Sequence, residues 1–248
     1  MYNRVLYLVI IISYMMLFAA KVHSQVEFDV EMGAAFAGYN DVRIPGNTGT
    51  LFSLSKELKS DPVFYYRIRL LYNFTERHHL GVLYAPLSIK SSGKLDRVLL
   101  FEDGTFPANT NLETSYKFNS YRLFYRYDFL KTDKIDAGVG LTAKIRDAKI
   151  TVKGTGLESE KANVGFVPLI NFRVLWKITE SIAFLIDGDA LAAPQGRAED
   201  VLAAFIYQVM PKIKLKAGYR ILEGGANNDE VYSFALVNYA AVGAIFEF

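Results

Sequence analysis

The chain has 248 residues, with 28 Lys and Arg against 26 Asp and Glu, and contains no cysteine. The lack of cysteine excludes a disulfide-stabilised small domain and any cysteine-ligated metal site. The near balance of charge gives no support to nucleic-acid binding. Hydrophobic residues make up 51% of the chain and aromatic residues 14%, which excludes an intrinsically disordered protein.

The first 24 residues have the pattern of an export signal. Arg4 precedes an apolar run over 5–20, and small residues follow before Gln25. A short positive start, an apolar stretch and small residues ahead of a polar chain are typical of a secretory signal peptide. The alternative is an N-terminal membrane anchor, because the run approaches the lower limit for a spanning helix. The sequence predicts a signal peptide over 1–24 and one domain over 25–248.

The rest of the chain alternates apolar and polar residues with a period of two. In the segment 134–146, Leu141 and Ile145 share one face, whereas Thr142 and Lys144 share the other. A helix with this pattern would distribute its charges all round, so the pattern indicates β-strands. Ten strands are predicted, at about 26–39, 62–74, 78–90, 112–129, 134–152, 160–177, 180–191, 199–209, 212–223 and 232–248.

The connections between these strands are alternately short and long. The short ones lie near 75–77, 130–133, 179 and 210–211. The longer ones, rich in Gly, Asn, Asp, Ser and Pro, are 40–61, 91–111, 153–159, 192–198 and 224–231. Strict alternation places all short connections at one end of an up-and-down antiparallel sheet, and an even strand number places both termini there. Eight strands is the alternative number, if strand 1 or strand 2 is wrongly assigned, because predicted boundaries err by several residues.

Aromatic residues are concentrated near the two ends of the predicted strands. Strands that run toward the short connections finish with Phe74, Phe129, Trp176, Tyr207 and Phe248. Strands at the opposite end begin with Tyr65, Tyr66, Tyr116, Phe118, Phe166 and Tyr232. Two aromatic belts favour a membrane-spanning barrel over a soluble sandwich or ligand-carrying barrel whose apolar faces pack inward. A bilayer offers no water to unpaired backbone groups, so the predicted fold is an all-β, closed, transmembrane β-barrel.

Three features of the sequence point to a known class of proteins. They are the export signal, the ten-strand meander and the last alternating strand, which ends in Ile245-Phe246-Glu247-Phe248. In these features the chain resembles Gram-negative outer-membrane β-barrel proteins. The resemblance implies a cell outer-membrane location, periplasmic termini and contact with outer-membrane lipid. It also implies that the barrel assembly machinery recognises the C-terminal strand, with Phe248 as the assembly signal. It is a resemblance of architecture, which attaches no activity and no cofactor.

The polar faces of the strands are predicted to line the barrel interior. The candidate charge network there consists of Arg67, Arg69, Arg122, Arg126, Asp128, Asp136, Lys144, Arg146, Arg173, Asp187, Asp189, Lys214, Lys216 and Arg220. One hypothesis is an ion-paired plug, because ten strands enclose little more space than the eight that side chains can nearly fill. The others are a narrow, porin-like path for small solutes, selected by these charges, and a ligand-dependent mixture of the two.

Two polar clusters were considered as metal or catalytic sites. Asp187 and Asp189 share the inward face, and a carboxylate pair can hold a cation or exchange protons. Carboxylates that face a basic wall more often serve as its counter-ions, and that is the prediction here. The segment 227–230 offers oxygen ligands for calcium but lacks EF-hand spacing, so it is predicted to be an ordinary loop without a metal.

Catalysis by a protease or lipid A-modifying barrel is the remaining alternative. His78 and His79 lie at a short connection, the wrong end for chemistry on the outer leaflet, and no catalytic motif is present. The sequence therefore predicts a non-enzymatic barrel that is structural, binds a surface ligand or passes a small solute. The loops 40–61 and 91–111 are candidates for surface recognition. Alternatively, their apolar residues extend the neighbouring strands, which is the interpretation preferred here.

Overall fold

The computed structural model describes residues 25–194 and 196–248, so the predicted signal peptide lies outside the described residues. Within that part of the chain, no helix is long and apolar enough to cross a membrane. Fifteen strands are present: β1 (Val26–Arg43), β2 (Phe52–Ser53), β3 (Lys59–Ser60), β4 (Val63–Asn73), β5 (His78–Ala85), β6 (Ser88–Gly93), β7 (Leu99–Phe101), β8 (Gly104–Phe106), β9 (Leu112–Lys131), β10 (Ile135–Gly154), β11 (Leu157–Lys177), β12 (Ile182–Ala193), β13 (Gly196–Met210), β14 (Ile213–Asn227) and β15 (Tyr232–Glu247).

Ten of these strand positions close into an antiparallel barrel. β1, β4 and β9 to β15 each provide one position, and β5 with β6 provides the tenth. The barrel closes where β1 pairs with β15, from Glu27 opposite Glu247 to Arg43 opposite Tyr232. This confirms the predicted closed, all-β, ten-stranded barrel, and the eight-stranded alternative is wrong.

The tenth position is interrupted once. Pro86 has no N–H to donate, so the ladder breaks between β5 and β6. Both short strands nevertheless pair with β9, and the Leu87 carbonyl between them accepts a hydrogen bond from the Phe118 N–H at 2.9 Å. The interruption therefore leaves the barrel wall continuous.

The short connections, at 74–77, 132–134, 178–181 and 211–212, lie at one end together with both ends of the barrel sheet. Three of the predicted long loops are much shorter than expected, because the strands extend into them. β10 and β11, for example, are joined only by Thr155 and Gly156, whose φ angles of 50° and 77° suit a two-residue hairpin turn. The predicted extents of 153–159, 192–198 and 224–231 as loops are therefore wrong.

β9, β10 and β11 contain 20, 20 and 21 residues, about twice the 9–11 that a tilted strand needs to cross a bilayer. We call the part of the barrel on the side of the short connections the terminal half. Its outward side chains are apolar as far as Tyr121 on β9 and Ile145 on β10. The part beyond these residues is the loop half.

The aromatic belt at the terminal end is present as predicted. Its members are exposed: Phe74 (56%), Phe129 (57%), Trp176 (53%), Tyr207 (53%) and Phe248 (65%). At the other border of the apolar band, Tyr66 and Phe166 are exposed, but Tyr65 and Tyr116 are buried. The prediction is wrong for Tyr65 because it is next to Tyr66 in the strand, so its side chain points to the opposite face, into the barrel. It is wrong for Tyr116 and Phe118 because they belong to the loop half, where apolar residues point inward.

The mouth of the loop half is closed by a cap, which comprises residues 44–62 and 94–111. Its two segments bond to each other, with the Glu102 N–H donating to the Ile44 carbonyl at 2.9 Å. The cap packs on inward residues of β1, β9, β10 and β15. This buried apolar core comprises Val42, Ile44, Phe52, Leu54, Leu58, Leu95, Leu99, Phe101, Phe106, Leu112, Tyr116, Ile150, Val152 and Ala235. The apolar residues of these two connections thus fold over the barrel, with β7 and β8 in a sheet of their own. The interpretation that they extend the neighbouring strands is therefore wrong, because they bury one another in a core.

Candidate functional site

The interior of the terminal half contains a network of buried ion pairs centred on Asp200. This carboxylate is 1% exposed. It accepts hydrogen bonds from Arg67 at 2.9 Å, from Arg220 at 2.6 Å, and from Arg122. Two strands from across the barrel, β4 and β9, and the neighbouring strand β14 thus meet at one residue of β13.

Glu31 forms a second centre beside the first. Its two oxygens accept a bidentate pair of bonds from Arg220, at 2.7 and 2.9 Å. Lys216 lies 3.1 Å from the same carboxylate and 2.6 Å from Asp29. Because Arg220 binds both Glu31 and Asp200, the two centres form one connected network.

Asp187 and Asp189 serve as counter-ions to different arginines. Asp187 accepts two hydrogen bonds from Arg69, at 2.8 and 3.2 Å. Asp189 accepts one from Arg122 at 2.5 Å and is further held by Thr142 at 2.6 Å. With guanidinium and hydroxyl donors around both carboxylates, the pair is arranged to balance positive charge.

The terminal end of the network contains a histidine. His79 lies between Asn73 and Asp128, with its Nδ1 2.7 Å from the Asn73 Oδ1 and its Nε2 3.0 Å from the Asp128 Oδ2. Asp128 also accepts a bond from the Arg126 Nε at 3.0 Å. The predicted position of His79 at a short connection agrees with the structure, and its ring is buried within the interior network.

The structure brings together most of the residues that the sequence singled out. Joined by direct ion pairs are Arg67, Arg69, Arg122, Arg126, Asp128, Asp187, Asp189, Lys216 and Arg220. Arg173 lies at the edge, 4.0 Å from Asp187. Asp136 and Lys214 belong to separate pairs near the terminal end, Asp136 with Lys177 at 2.9 Å and Lys214 with Glu247.

Lys144 and Arg146 do not belong to the network. Among the described residues, neither makes an ion pair. Lys144 is 2% exposed, and its ammonium lies 4.8 Å from the centre of the Phe118 ring. Arg146 donates from its Nη2 to the Asn163 side chain, while its buried Nε has no hydrogen-bond partner in the structure.

Sequence reasoning missed Asp200, which accepts hydrogen bonds from three arginines. The signal was available in the parity of β13. Because Tyr207 belongs to the outward belt, counting back in steps of two makes Phe205 and Ala203 outward as well, and leaves Asp200 on the inner face. Asp200 shares this inner face with the apolar Leu202 and Ile206, so β13 lacks the run of charges that marks the inner faces of several other strands.

Buried charges in the barrel balance one another. The buried acids are Asp29, Glu31, Asp128, Asp187, Asp189 and Asp200. The buried cations are Arg67, Arg122, Arg126, Lys144, Lys216 and Arg220. Charges taken out of water are tolerated when they are paired and hydrogen-bonded, and five of the six cations meet that condition directly.

The network leaves little open space in the middle of the barrel. A cavity of about 10 Å³ lies among Tyr65, Arg67, Arg122 and Tyr239, which is enough for roughly one water molecule. Above it, the cap covers the mouth. Among the described residues, ion pairs thus fill the interior of the terminal half, and an apolar core packs beneath the cap in the loop half.

The structure gives no indication of a metal site. Among the described residues, no three His, Asp or Glu side chains are grouped to hold an ion. In the segment 227–230, the Asn228 side chain accepts hydrogen bonds from the N–H groups of Glu230 and Val231, at 3.0 and 2.9 Å. These contacts are those of an ordinary polar turn.

Two solved structures resemble the protein over nearly its whole length. The outer membrane protease OmpT from Escherichia coli superposes with a TM-score of 0.55 at 10% identity, over 92% of this chain and 99% of that one. The chain has the fold of outer-membrane β-barrel proteins. The transport unit of the autotransporter AIDA-I from Escherichia coli gives a TM-score of 0.50 at 8% identity, over 93% and 92%. No protein-family model and no curated protein matches the sequence.

Proposed function

We propose that the protein is a non-conducting, non-enzymatic barrel of the outer membrane that acts by binding through its loop half. The observation that carries the proposal is the filled interior. Arg67 and Arg122 reach Asp200 from across the barrel and Arg220 reaches it from the neighbouring strand, and the space left beside them holds about one water molecule. A solute would have to break several charge-assisted hydrogen bonds to pass.

The orientation in the membrane forms part of the proposal. Outer-membrane barrels have short turns on the periplasmic side and longer loops outside, so the loop half faces the external medium and both termini face the periplasm. The outward surface of the loop half supports this orientation, because it includes several ion pairs, such as Lys117–Asp147 at 2.7 Å and Lys153–Glu158 at 3.0 Å. Charged side chains on an outward surface are stable in water and costly in the hydrocarbon of a bilayer.

The biogenesis partners follow from the same orientation. Outer-membrane lipid surrounds the apolar band, and residues 1–24 serve as the export signal. Phe248, which is 65% exposed at the end of β15, is the residue that the barrel assembly machinery reads. The Phe248 N–H donates to the Val26 carbonyl at 2.9 Å, which holds the two chain ends of the barrel together.

Binding is proposed in place of catalysis because of where the titratable groups lie. His78 and His79 are at the terminal end, away from the external medium in this orientation. The carboxylates of the interior, among them Asp187 and Asp189, are held by cationic donors and are therefore poorly placed to take up protons from a substrate. The loop half, in contrast, presents a rigid cap and exposed polar strands.

The test is planar-bilayer recording of the purified full-length protein. We expect no reproducible unitary conductance, with a general porin inserted in the same bilayers as the positive control. Steps whose size rises with salt concentration would contradict the proposal. In that event, Arg126→Ala or Lys216→Ala should change the conductance, and the porin-like alternative would replace the binding barrel.

A further inference from the structure

The barrel wall has a lateral gap between β11 and β12. These strands pair only from Ile170 opposite Ala190 to Lys177 opposite Ala183. Beyond Ile170, β11 continues to Leu157 with β10 as its only full-length neighbour, whereas β12 continues with β13 alone. Among the described residues, the edge of β11 that faces β12 therefore has no strand partner over much of the loop half.

The gap opens at the border of the apolar band. Its base, Ile170, is 46% exposed, and Phe166 and Val164 further along the free edge are 63% and 69% exposed. On the neighbouring strand, outward Ile145 is still apolar, and Asp147 is the first charged residue beyond it. A molecule that enters through the gap therefore comes from the outer part of the bilayer.

Behind the gap is a cavity of about 480 Å³, within the range of small-molecule binding sites. It lies above the ion-pair network and extends to the loop ends of β12 to β15, with Ile44 of the cap in its lining. Its walls are mostly apolar and include Val167, Leu191, Leu222, Val237 and the ring of Phe118. This lining suits a hydrocarbon chain.

Two cations without a carboxylate partner line the same cavity. Lys144 and Arg146 stand on β10 opposite Val167 and Gly165, at the level of the gap. The other five buried cations of the barrel each contact a carboxylate, so Lys144 is the exception. A buried ammonium without a counter-ion is costly, and an anionic group bound in the cavity would remove that cost.

We propose that the cavity binds a long-chain amphiphile with an anionic head group, which enters from the outer leaflet through the gap between β11 and β12. Its head group contacts Lys144 and Arg146, and its chain lies along the apolar wall. The inference rests on the proposed function, since it specifies the ligand that the loop half binds. Among anionic amphiphiles, a long-chain carboxylate is the simplest that satisfies both the charge and the lining.

The experiment measures displacement of a fluorescent fatty acid from the delipidated full-length protein in nanodiscs of zwitterionic lipid. The competitors are oleate, oleyl alcohol and acetate, which separate the contributions of the chain and the charge. We expect oleate to bind at least about ten-fold more tightly than oleyl alcohol, as measured by displacement of the probe. Only the oleate carboxylate can form a charge-assisted hydrogen bond with Lys144 or Arg146. Acetate should compete weakly.

Variants locate the site. Lys144→Met nearly keeps the length of the side chain and removes its charge. It should lower the affinity for oleate by about ten-fold or more, with little effect on the affinity for oleyl alcohol. The matched control is Lys117→Met, a lysine on the outward face of β9 that should bind oleate like the wild type. If Lys144→Met does not fold, Leu191→Trp, which fills part of the cavity and leaves both cations in place, should abolish displacement by oleate and by oleyl alcohol.

Several results would overturn the inference: no displacement by oleate, equal affinities of oleate and oleyl alcohol, or unchanged oleate binding in Lys144→Met. Acetate competing as well as oleate would show a site for small anions and would overturn the lipid ligand. The bilayer recording remains independent of all these results. A silent barrel that does not bind oleate keeps the proposed function and loses this inference, whereas a conducting barrel loses the proposed function.

Discussion

Side chains alternate between inward and outward along the strands in both halves of the barrel, but the apolar face is outward in the terminal half and inward in the loop half. In the terminal half of β9, outward Tyr121 and Leu123 are exposed and apolar, and Arg122 between them points inward. In the loop half of the same strand, Lys117 points outward and Tyr116 is buried. The alternation continues without a break, but the polarity of the two faces is exchanged. The surrounding medium, lipid for one half and water for the other, decides which face is apolar.

The two halves are consequently stabilised by different forces. The loop half has a buried apolar core, with Phe52, Phe101 and Phe106 each at most 1% exposed, and so relies on the hydrophobic effect like a soluble protein. The terminal half places its apolar side chains against lipid. Its interior is held by ion pairs, in which the removal of one partner leaves an uncompensated buried charge. This difference predicts unequal responses to matched substitutions.

The largest effect is expected for Asp200→Ala. The substitution leaves Arg67, Arg122 and Arg220 without their shared carboxylate, and should lower the free energy of unfolding by about 3–5 kcal/mol. Urea unfolding of the protein refolded in lipid vesicles, monitored by the gel shift of folded barrels, measures the loss.

Asp147→Ala is the matched control for this change. Asp147 pairs with Lys117 at 2.7 Å on the outward surface of the loop half, and exposed pairs contribute about 0–1 kcal/mol. Equal losses for Asp200→Ala and Asp147→Ala would break the comparison, because they would mean that buried and surface ion pairs contribute alike.

The next effect concerns the outward faces. Leu141 on β10 is 70% exposed in the apolar band, and Leu141→Arg should destabilise the folded barrel by about 2–4 kcal/mol in vesicles, the cost of a cation near the middle of the bilayer. Leu157→Arg, at the loop end of the same hairpin, should change stability by less than about 0.5 kcal/mol. Similar costs at both positions would show that the loop half is also in lipid.

The smallest effect is expected in the cap. Arg97 contacts Glu57 at 2.6 Å and the Leu51 carbonyl at 2.7 Å, and so ties the two cap segments together. The hydrogen bond from Arg97 holds the pKa of the Glu57 carboxyl below its ordinary value. A carboxyl whose pKa is lowered on folding stabilises the protein above its unfolded pKa, and that contribution disappears as the pH falls through the folded value.

Because both side chains are partly exposed, Arg97→Ala should cost less than about 1 kcal/mol at pH 7. The ion-pair part of that cost should vanish once Glu57 is protonated. Amide hydrogen exchange of the cap measures this cost when wild type and variant are compared at pH 7 and at a pH below the folded pKa of Glu57. Lys134→Ala, in a short connection at the opposite end of the barrel, is the control. A loss that grows on acidification would have the wrong sign for this ion pair.

Much of the interior could be predicted from the sequence because facing is a local property of a strand. Once Ile145 is known to point outward, Lys144 must point inward, whatever lies across the barrel. Partnership is different. Asp200 and Arg67 are 133 residues apart in the chain, and only the stagger of ten strands around a closed sheet brings them together. Parity alone could not show that Lys144, inward and buried, lacks the carboxylate that the neighbouring arginines have.

The strands, their even number, the end of the barrel that has the short connections and the inward face of the terminal half could be predicted from the sequence alone, since a period of two and short polar turns are properties of adjacent residues. The tertiary structure decided three further features: the exchange of polarity in the loop half, the cap, and the lateral gap beside Ile170. These features depend on the length over which neighbouring strands pair and on whether lipid or water surrounds each level of the barrel. Neither quantity is carried by a single segment of the chain.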